Sequence, residues 1–141
     1  HRRQRQMCIR DRIKEAYGEN KQFQAVEFIE DMPEALGEAH LVLSRAGAMS
    51  VAEISAAKRP AIYVPLPIAG GHQLENVRHL AEAKAAIAVR QDENLLNNLG
   101  RVLVQCVSDV ERLGNMVQNL ESEIEDSANI IAEAVIGKSD S

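Results

Sequence analysis

A strand, a glycine-containing turn and a helix start follow one another directly in residues 41–57, and this order limits the chain to a small set of folds. The apolar run 41–43 predicts a strand, and Gly47 permits the tight turn that follows it. Beyond the turn, the backbone N–H groups of Ala48, Met49 and Ser50 are expected to be free donors at the start of a new helix. Such a helix end carries roughly half a positive charge and is a ready site for a phosphate group.

Glu53 lies about one helical turn beyond that start, where its carboxylate could accept hydrogen bonds from a ribose diol. A phosphate site beside a ribose site indicates a nucleotide. Each half of this argument also has an ordinary explanation. A Gly-Ala turn before a helix is common in helix–strand packing, and Glu53 could be a carboxylate on a helix face that points to solvent.

Strand-like segments alternate with helical ones along the chain, which predicts βαβ units and a parallel sheet. The predicted strands are residues 24–29, 41–44, 60–65 and 85–89. The predicted helices are residues 13–17, 48–57, 72–84, 95–107, 110–124 and 127–136, with a further helix capped by Asp31 and carrying Pro33 in its first turn. We therefore expect an α/β fold, a Rossmann-like parallel sheet flanked by helices.

Composition narrows the class of protein. Hydrophobic residues make up 45% of the 141 residues, but there are only two Phe, two Tyr and no Trp, so the expected core is aliphatic. A net charge of −5 argues against a nucleic-acid partner. No apolar run is long enough to cross a membrane, no signal peptide is recognisable, and the two cysteines are far apart. These features favour a cytoplasmic setting.

Ligands of parallel sheets bind outside the carboxyl ends of the strands. Three segments occupy such ends, residues 29–31, 44–50 and 65–73. On the helix that starts at His72, Gln73 and Asn76 lie three residues apart on one face, and paired amides suit sugar hydroxyls. Ordinary capping and solvent contact are the competing explanation for these amides. No group of His, Asp or Glu has the spacing of a metal site, so no metal is expected.

The first twelve residues differ in character from the rest. Residues 3–12 have no helical or strand periodicity and resemble translated sequencing-adaptor read-through; a basic N-terminal arm is the alternative. We expect residues 1–12 to be non-native or disordered, residues 13–137 to form the domain, and residues 138–141 to be a tail.

Residues 24–136 resemble the C-terminal, donor-binding half of the MurG family. These are the UDP-N-acetylglucosamine transferases that make lipid II in bacterial peptidoglycan synthesis (glycosyltransferase family 28, GT-B type). The resemblance rests on segments 26–32 (VEFIEDM), 43–54 (LSRAGAMSVAEI), 60–65 (PAIYVP) and 126–132 (DSANIIA), and on His72, Gln73 and Asn76. The segment 43–54 is specific, whereas the terminal helix is much less so.

The resemblance implies a role for each matching position. It implies that the uracil is bound by Phe28 and Ile29, and the diphosphate by Gly47, Ala48, Met49 and Ser50. It also implies that the ribose is bound by Glu53, and the N-acetylglucosamine by His72, Gln73 and Asn76. Arg45 is implied as a further diphosphate contact, with a structural ion pair as the alternative.

The implied reaction is an inverting transfer in which the 4-hydroxyl of the lipid I acceptor attacks the anomeric carbon of UDP-N-acetylglucosamine and UDP leaves. The general base belongs to the family's other domain, so no catalytic residue, cofactor or metal is expected here. That N-terminal domain would also bind lipid I and contact the cytoplasmic face of the bacterial inner membrane.

The family's first strand of this domain and its Gly-Gly-Ser phosphate loop have no counterpart in the chain. We therefore expect an N-terminally truncated donor-site fragment that is inactive alone. Three alternatives remain open at this point: another UDP-sugar transferase (a glycolipid synthase or a dolichol-pathway subunit), a non-catalytic nucleotide-sugar-binding module, and a doubly wound domain with no nucleotide site.

Overall fold

The computed structural model describes residues 24–26, 29–67 and 72–139, with the backbone alone for residues 130–139. The predicted helix 13–17 and the expected non-native segment 1–12 lie outside this part of the chain. The chain divides into two compact units, His1–Ala35 and Leu36–Ser141, and the second unit contains the sheet.

Three parallel strands form the sheet: β1 (Val42–Ser44), β2 (Ala61–Tyr63) and β3 (Ile87–Ala88). Their spatial order is β1-β2-β3, so β2 lies in the middle, with Leu43 opposite Ile62 and Ile62 opposite Ile87. This parallel α/β arrangement confirms the expected fold class.

Helices connect and flank these strands. Their bounds are α1 (Met32–Glu38), α2 (Ala48–Ala56), α3 (His72–Glu82), α4 (Leu95–Val107) and α5 (Val110–Ser139). At the start of α1, the N–H of Glu34 donates to Oδ1 of Asp31 at 3.0 Å, which confirms the predicted cap. Pro33 lies in the first turn, as expected, where a missing N–H costs nothing.

Both faces of β2 are buried, and alternate residues enter different clusters. Ala61 and Tyr63 pack on one face with side chains from α2 and α3, among them Val51, Ile54 and Val77. Ile62 packs on the other face in a cluster that includes Cys106 of α4. A strand covered on both sides is apolar throughout, which is why the segment between Pro60 and Pro65 carries no polar alternation.

Two predictions about secondary structure were wrong. The described residues of the segment 24–29 form no strand, and positions 27 and 28 lie outside the described residues. The two helices predicted at 110–124 and 127–136 are one continuous helix, α5, which runs to Ser139 and so enters the expected tail. Residues 125–127 are Glu, Asp and Ser, and each of them costs only a few tenths of a kcal/mol in a helix relative to alanine. The helix therefore continues through them.

Among the described residues, none of the helices is long and apolar enough to cross a membrane.

Ile62 provides a direct test of the central strand because its side chain is completely buried. We expect Ile62→Ala to lower the free energy of unfolding by about 2–5 kcal/mol, from lost burial and the remaining cavity. If that variant does not fold, Ile62→Val should still fold and cost about 1 kcal/mol. Urea denaturation measures both. Leu96→Ala is the control, because Leu96 is 84% exposed and should change stability by less than about 0.5 kcal/mol.

Tyr63 gives the fold a pH dependence. Burial raises the pKa of Tyr63 from 10.0 to about 12, although a hydrogen bond with Ser55 acts in the opposite direction. The folded protein therefore holds this proton more tightly than the unfolded chain does. The resulting stability is fully present below pH 10.0 and is lost as the pH rises through about 12. Urea denaturation between pH 10 and pH 12 should show that the free energy of unfolding falls more steeply with pH for the unmodified chain than for Tyr63→Phe. Parallel plots of this free energy against pH would contradict the raised pKa of Tyr63.

Candidate functional site

The junction between β1 and α2 has an extended rather than a left-handed glycine. Gly47 is the N-cap of α2 with φ −63° and ψ 146°, a conformation that any residue can adopt. The turn at Gly47 therefore does not depend on the conformational freedom of glycine. A Cβ built on Gly47 would meet no described atom within 4 Å. Neither backbone conformation nor packing in the described structure requires glycine here, and its small size leaves the helix start open to a ligand.

The first turn of α2 leaves its donors available. No side chain caps this end of α2, and the first helical hydrogen bond runs from the N–H of Val51 to the oxygen of Gly47 at 3.0 Å. The N–H groups of Ala48, Met49 and Ser50 precede that bond and have no carbonyl partner within the helix. With the partial positive charge of the helix end, these donors could bind an anion such as a phosphate.

One face of α2 is buried and the other is open. Val51 and Ile54 enter the core, whereas Met49 is 79% exposed and Glu53 is also exposed. Glu53 follows Met49 by four residues, so the two side chains share the solvent face. The carboxylate of Glu53 thus lies on an open helix face, one turn from the free N–H groups.

Two amides of α3 hold the loops around this helix start. Nδ2 of Asn76 donates to the oxygen of Ala46 at 2.9 Å, which joins α3 to the segment before Gly47. Oε1 of Gln73 accepts from the N–H of Leu66 at 2.8 Å. Both residues therefore have a structural role that their spacing alone did not reveal. The second polar atom of each amide has no partner among the described residues, and so each could also contact a hydroxyl group.

Arg45 makes two neutral hydrogen bonds. Its Nη1 donates to the oxygen of Val64 at 3.3 Å and to Oε1 of Gln91. A structural ion pair was the alternative role for Arg45, but Arg45 forms no ion pair with any described residue. The ion pair found among the described residues joins Arg78 to Glu75. Sequence reasoning missed Gln91. No local signal could have found it, because it lies 46 positions from Arg45.

A cavity of about 360 Å³ lies at the carboxyl ends of β2 and β3. Its lining is largely apolar and includes Pro65, Leu66 and Leu74, with Arg90 and Gln91 at the β3 end. The cavity therefore borders both loops that the amide of Gln73 and the guanidinium of Arg45 hold in place.

Three predicted site residues remain, and the structure gives less about them. His72 is exposed at the start of α3. Phe28 lies outside the described residues, and Ile29, 40% exposed, belongs to the separate unit His1–Ala35. The described residues contain no cluster of His, Cys, Asp or Glu that could hold a metal ion.

Comparison with known proteins gives the family. The family model described as "Glycosyltransferase family 28 C-terminal domain" matches residues 4–132, a range that includes nine residues of the expected non-native segment. That residues 1–12 are non-native or disordered stays a prediction.

Curated relatives agree with this match. A protein of Wolbachia pipientis subsp. Culex pipiens (strain wPip) is 45% identical over 94 residues, covering 66% of this chain and 28% of that protein. A protein of Wolbachia sp. subsp. Brugia malayi (strain TRS) is 39% identical over 119 residues, covering 81% of this chain and 35% of that protein. Both are named UDP-N-acetylglucosamine--N-acetylmuramyl-(pentapeptide) pyrophosphoryl-undecaprenol N-acetylglucosamine transferase. The chain thus spans about a third of the length of these relatives.

A solved structure shares the fold. The crystal structure of Acinetobacter baumannii MurG matches with a TM-score of 0.60 and 37% identity, over 70% of this chain and 28% of that chain. Since the family model covers most of the 141 residues, the chain belongs to the family of glycosyltransferase family 28 C-terminal domains.

Proposed function

We propose that this chain forms the binding site for UDP-N-acetylglucosamine in a transferase that makes lipid II from lipid I during peptidoglycan synthesis. The observation that carries the proposal is the open start of α2, where Gly47 has no structural need to be glycine and no side chain caps the helix. The names of the relatives, all N-acetylglucosamine transferases, support the choice of donor.

The diphosphate is proposed to bind at the N–H groups of Ala48, Met49 and Ser50. The backbone N–H donors and the helix dipole favour an anion at this point. A Cβ on Gly47 would stand in open space, and the diphosphate is proposed to occupy that space. Arg45, three residues before Ala48 in the sequence, is proposed to add a positive charge for the diphosphate.

The nucleoside and the sugar are assigned to the flanking residues. Glu53 shares the open face of α2 and is proposed to accept hydrogen bonds from the ribose hydroxyls. Gln73 and Asn76 are proposed to contact the sugar with the amide atoms that the loops leave unused, and His72 lies beside them in sequence. Phe28 and Ile29 are proposed for the uracil on the family resemblance alone.

The proposed chemistry is an inverting transfer in which a hydroxyl group of the acceptor displaces UDP from the anomeric carbon. Negative charge grows on the departing β-phosphate, and the oriented N–H groups of α2 would stabilise it without having to reorganise. This contribution comes from backbone donors, so it requires no metal ligand from the chain. The general base that takes the acceptor proton is proposed to come from another domain of the enzyme.

The acceptor and the location follow from the same proposal. The chain spans 28% and 35% of the two relatives, so the part that binds a lipid-linked acceptor is proposed to lie in the region of those proteins that the chain does not match. An enzyme with a lipid-linked acceptor would work on the cytoplasmic face of the inner membrane as a peripheral protein, with that region in contact with the membrane.

A titration of this polypeptide with UDP-N-acetylglucosamine, followed by amide NMR, tests the donor site. We expect selective shifts at Ala48, Met49, Ser50 and Glu53, because these residues would contact the diphosphate and ribose directly. UDP-glucose is the control ligand and should bind more weakly, since it lacks the acetamido group. A well-dispersed spectrum that responds to neither nucleotide sugar would contradict the proposed site.

Gly47→Ala separates the ligand role of this residue from a structural one. The φ of −63° suits alanine, so we expect the free energy of unfolding to change by less than about 1 kcal/mol. The added methyl group should nevertheless lower the affinity for UDP-N-acetylglucosamine about tenfold, the effect of a modest steric clash. Calorimetric titration measures the affinity, and urea denaturation measures the stability.

Gly114→Ala in α5 is the matched control. A Cβ on Gly114 also meets no described atom within 4 Å, but Gly114 lies within α5 and has no proposed contact with the ligand. It should stabilise the fold by about 1 kcal/mol and leave the affinity unchanged. Equal affinities for the Gly47→Ala variant and the unmodified chain would count against a ligand at the start of α2.

A further inference from the structure

Arg45 reaches across the carboxyl ends of the sheet. It follows β1 directly, and its Nη1 donates to the oxygen of Val64, which follows β2, and to Oε1 of Gln91, which lies three residues beyond β3. One guanidinium nitrogen, Nη1, therefore joins Arg45 to the segments that follow both β2 and β3. Its remaining N–H groups have no acceptor among the described residues.

Both acceptors of Arg45 are neutral. A carbonyl oxygen and a carboxamide oxygen orient a guanidinium but do not cancel its charge, whereas a carboxylate would do both. Within the described residues the ion pair joins Arg78 to Glu75, and Arg45 has no carboxylate within ion-pair distance. In a chain with a net charge of −5, this is a positive charge that is held in place and left uncompensated.

Gln91 is itself anchored on both sides. Before it, Val89 is buried and its N–H donates to the oxygen of Tyr63 at 2.8 Å. After it, Oδ1 of Asp92 accepts from the N–H of Asn94 at 2.9 Å, which fixes the loop that leads into α4. The side chain of Gln91 thus reaches Arg45 from a loop whose backbone is held by hydrogen bonds on both sides.

We propose that Gln91 is the positioning residue for Arg45, holding its guanidinium over the strand ends so that its free N–H groups meet the diphosphate of the bound nucleotide. This inference rests on the proposed function, which supplies the ligand. An arginine side chain loses rotamer freedom on binding, and a hydrogen bond formed in advance lowers that cost. Gln91 acts through Arg45 and does not contact the ligand itself.

The positioning can be measured on the chain without any ligand. Hindered rotation of the guanidinium should give separate Nη signals for Arg45 in the NMR spectrum. We expect Gln91→Leu, which keeps a similar size and removes the acceptor, to merge or broaden these signals. Gln105→Leu is the matched control, because Gln105 is exposed on α4 and is not a partner of Arg45. Unchanged Arg45 signals in Gln91→Leu would overturn the proposal.

The effect on binding is tested with two probes, UDP and uridine, by calorimetric titration. We expect Gln91→Leu to lower the affinity for UDP about tenfold, the size of one charge-assisted hydrogen bond, and to leave the affinity for uridine unchanged. Arg45→Leu and the double variant should bind UDP equally, since Gln91 has nothing left to position. The proposal would be overturned if the two substitutions lowered the UDP affinity additively in the double variant. It would also be overturned if Gln91→Leu lowered the affinities for UDP and uridine equally.

Gln91→Glu separates orientation from charge. A carboxylate keeps an acceptor for Arg45, so the separate Nη signals should persist, but it compensates the positive charge and should still weaken UDP binding. A residue that only stabilises the loop would leave binding unchanged in this variant, and that result would contradict the proposal. Failure of the unmodified chain to bind UDP, with the Nη signals still dependent on Gln91, would overturn both the diphosphate role and the proposed function. Loss of UDP affinity in Arg45→Leu but not in Gln91→Leu would overturn this inference alone.

Discussion

The parallel hydrogen-bond ladder across β2 is the constraint on which the candidate site depends. Beyond the regular strands, the N–H of Val64 donates to the oxygen of Ser44 at 2.9 Å, and the N–H of Val89 donates to the oxygen of Tyr63 at 2.8 Å. These two bonds extend the pairing to the carboxyl ends, where each strand turns into a loop. Because all three strands run in the same direction, all three loops leave the sheet at one edge.

The core keeps this edge in place by burying β2 on both faces. Ile62 and Tyr63 point to opposite clusters, and both are nearly inaccessible to solvent. A middle strand packed in this way cannot slip by one residue without exchanging its two faces. The loops at the ends of the strands therefore start from fixed points, although they lie at the surface.

Polar side chains then join the loops to one another. Asn76 holds the segment before Gly47, Gln73 holds Leu66, and Gln91 holds Arg45. Each is a neutral amide, so the cross-links add no negative charge beside the helix start and Arg45. At these three positions the proposed anionic ligand would therefore meet amides rather than carboxylates. Glu53 lies further along α2, where a carboxylate suits hydroxyl groups better than phosphates.

From the sequence alone we could predict the alternation of strands and helices from β1 to β3, the parallel α/β class and the residues at the start of α2. These features depend on periodicity and on contacts between near neighbours. It also indicated the family through the segment 43–54, which the family match confirmed. Local patterns failed at residues 125–127, where weak helix preferences did not end α5, and at residues 24–29, whose described part forms no strand. The contacts of Asn76 with Ala46 and of Arg45 with Gln91 became apparent only in the folded chain. These pairs lie 30 and 46 residues apart, and the packing of the strands and helices sets their distance, which no local pattern encodes.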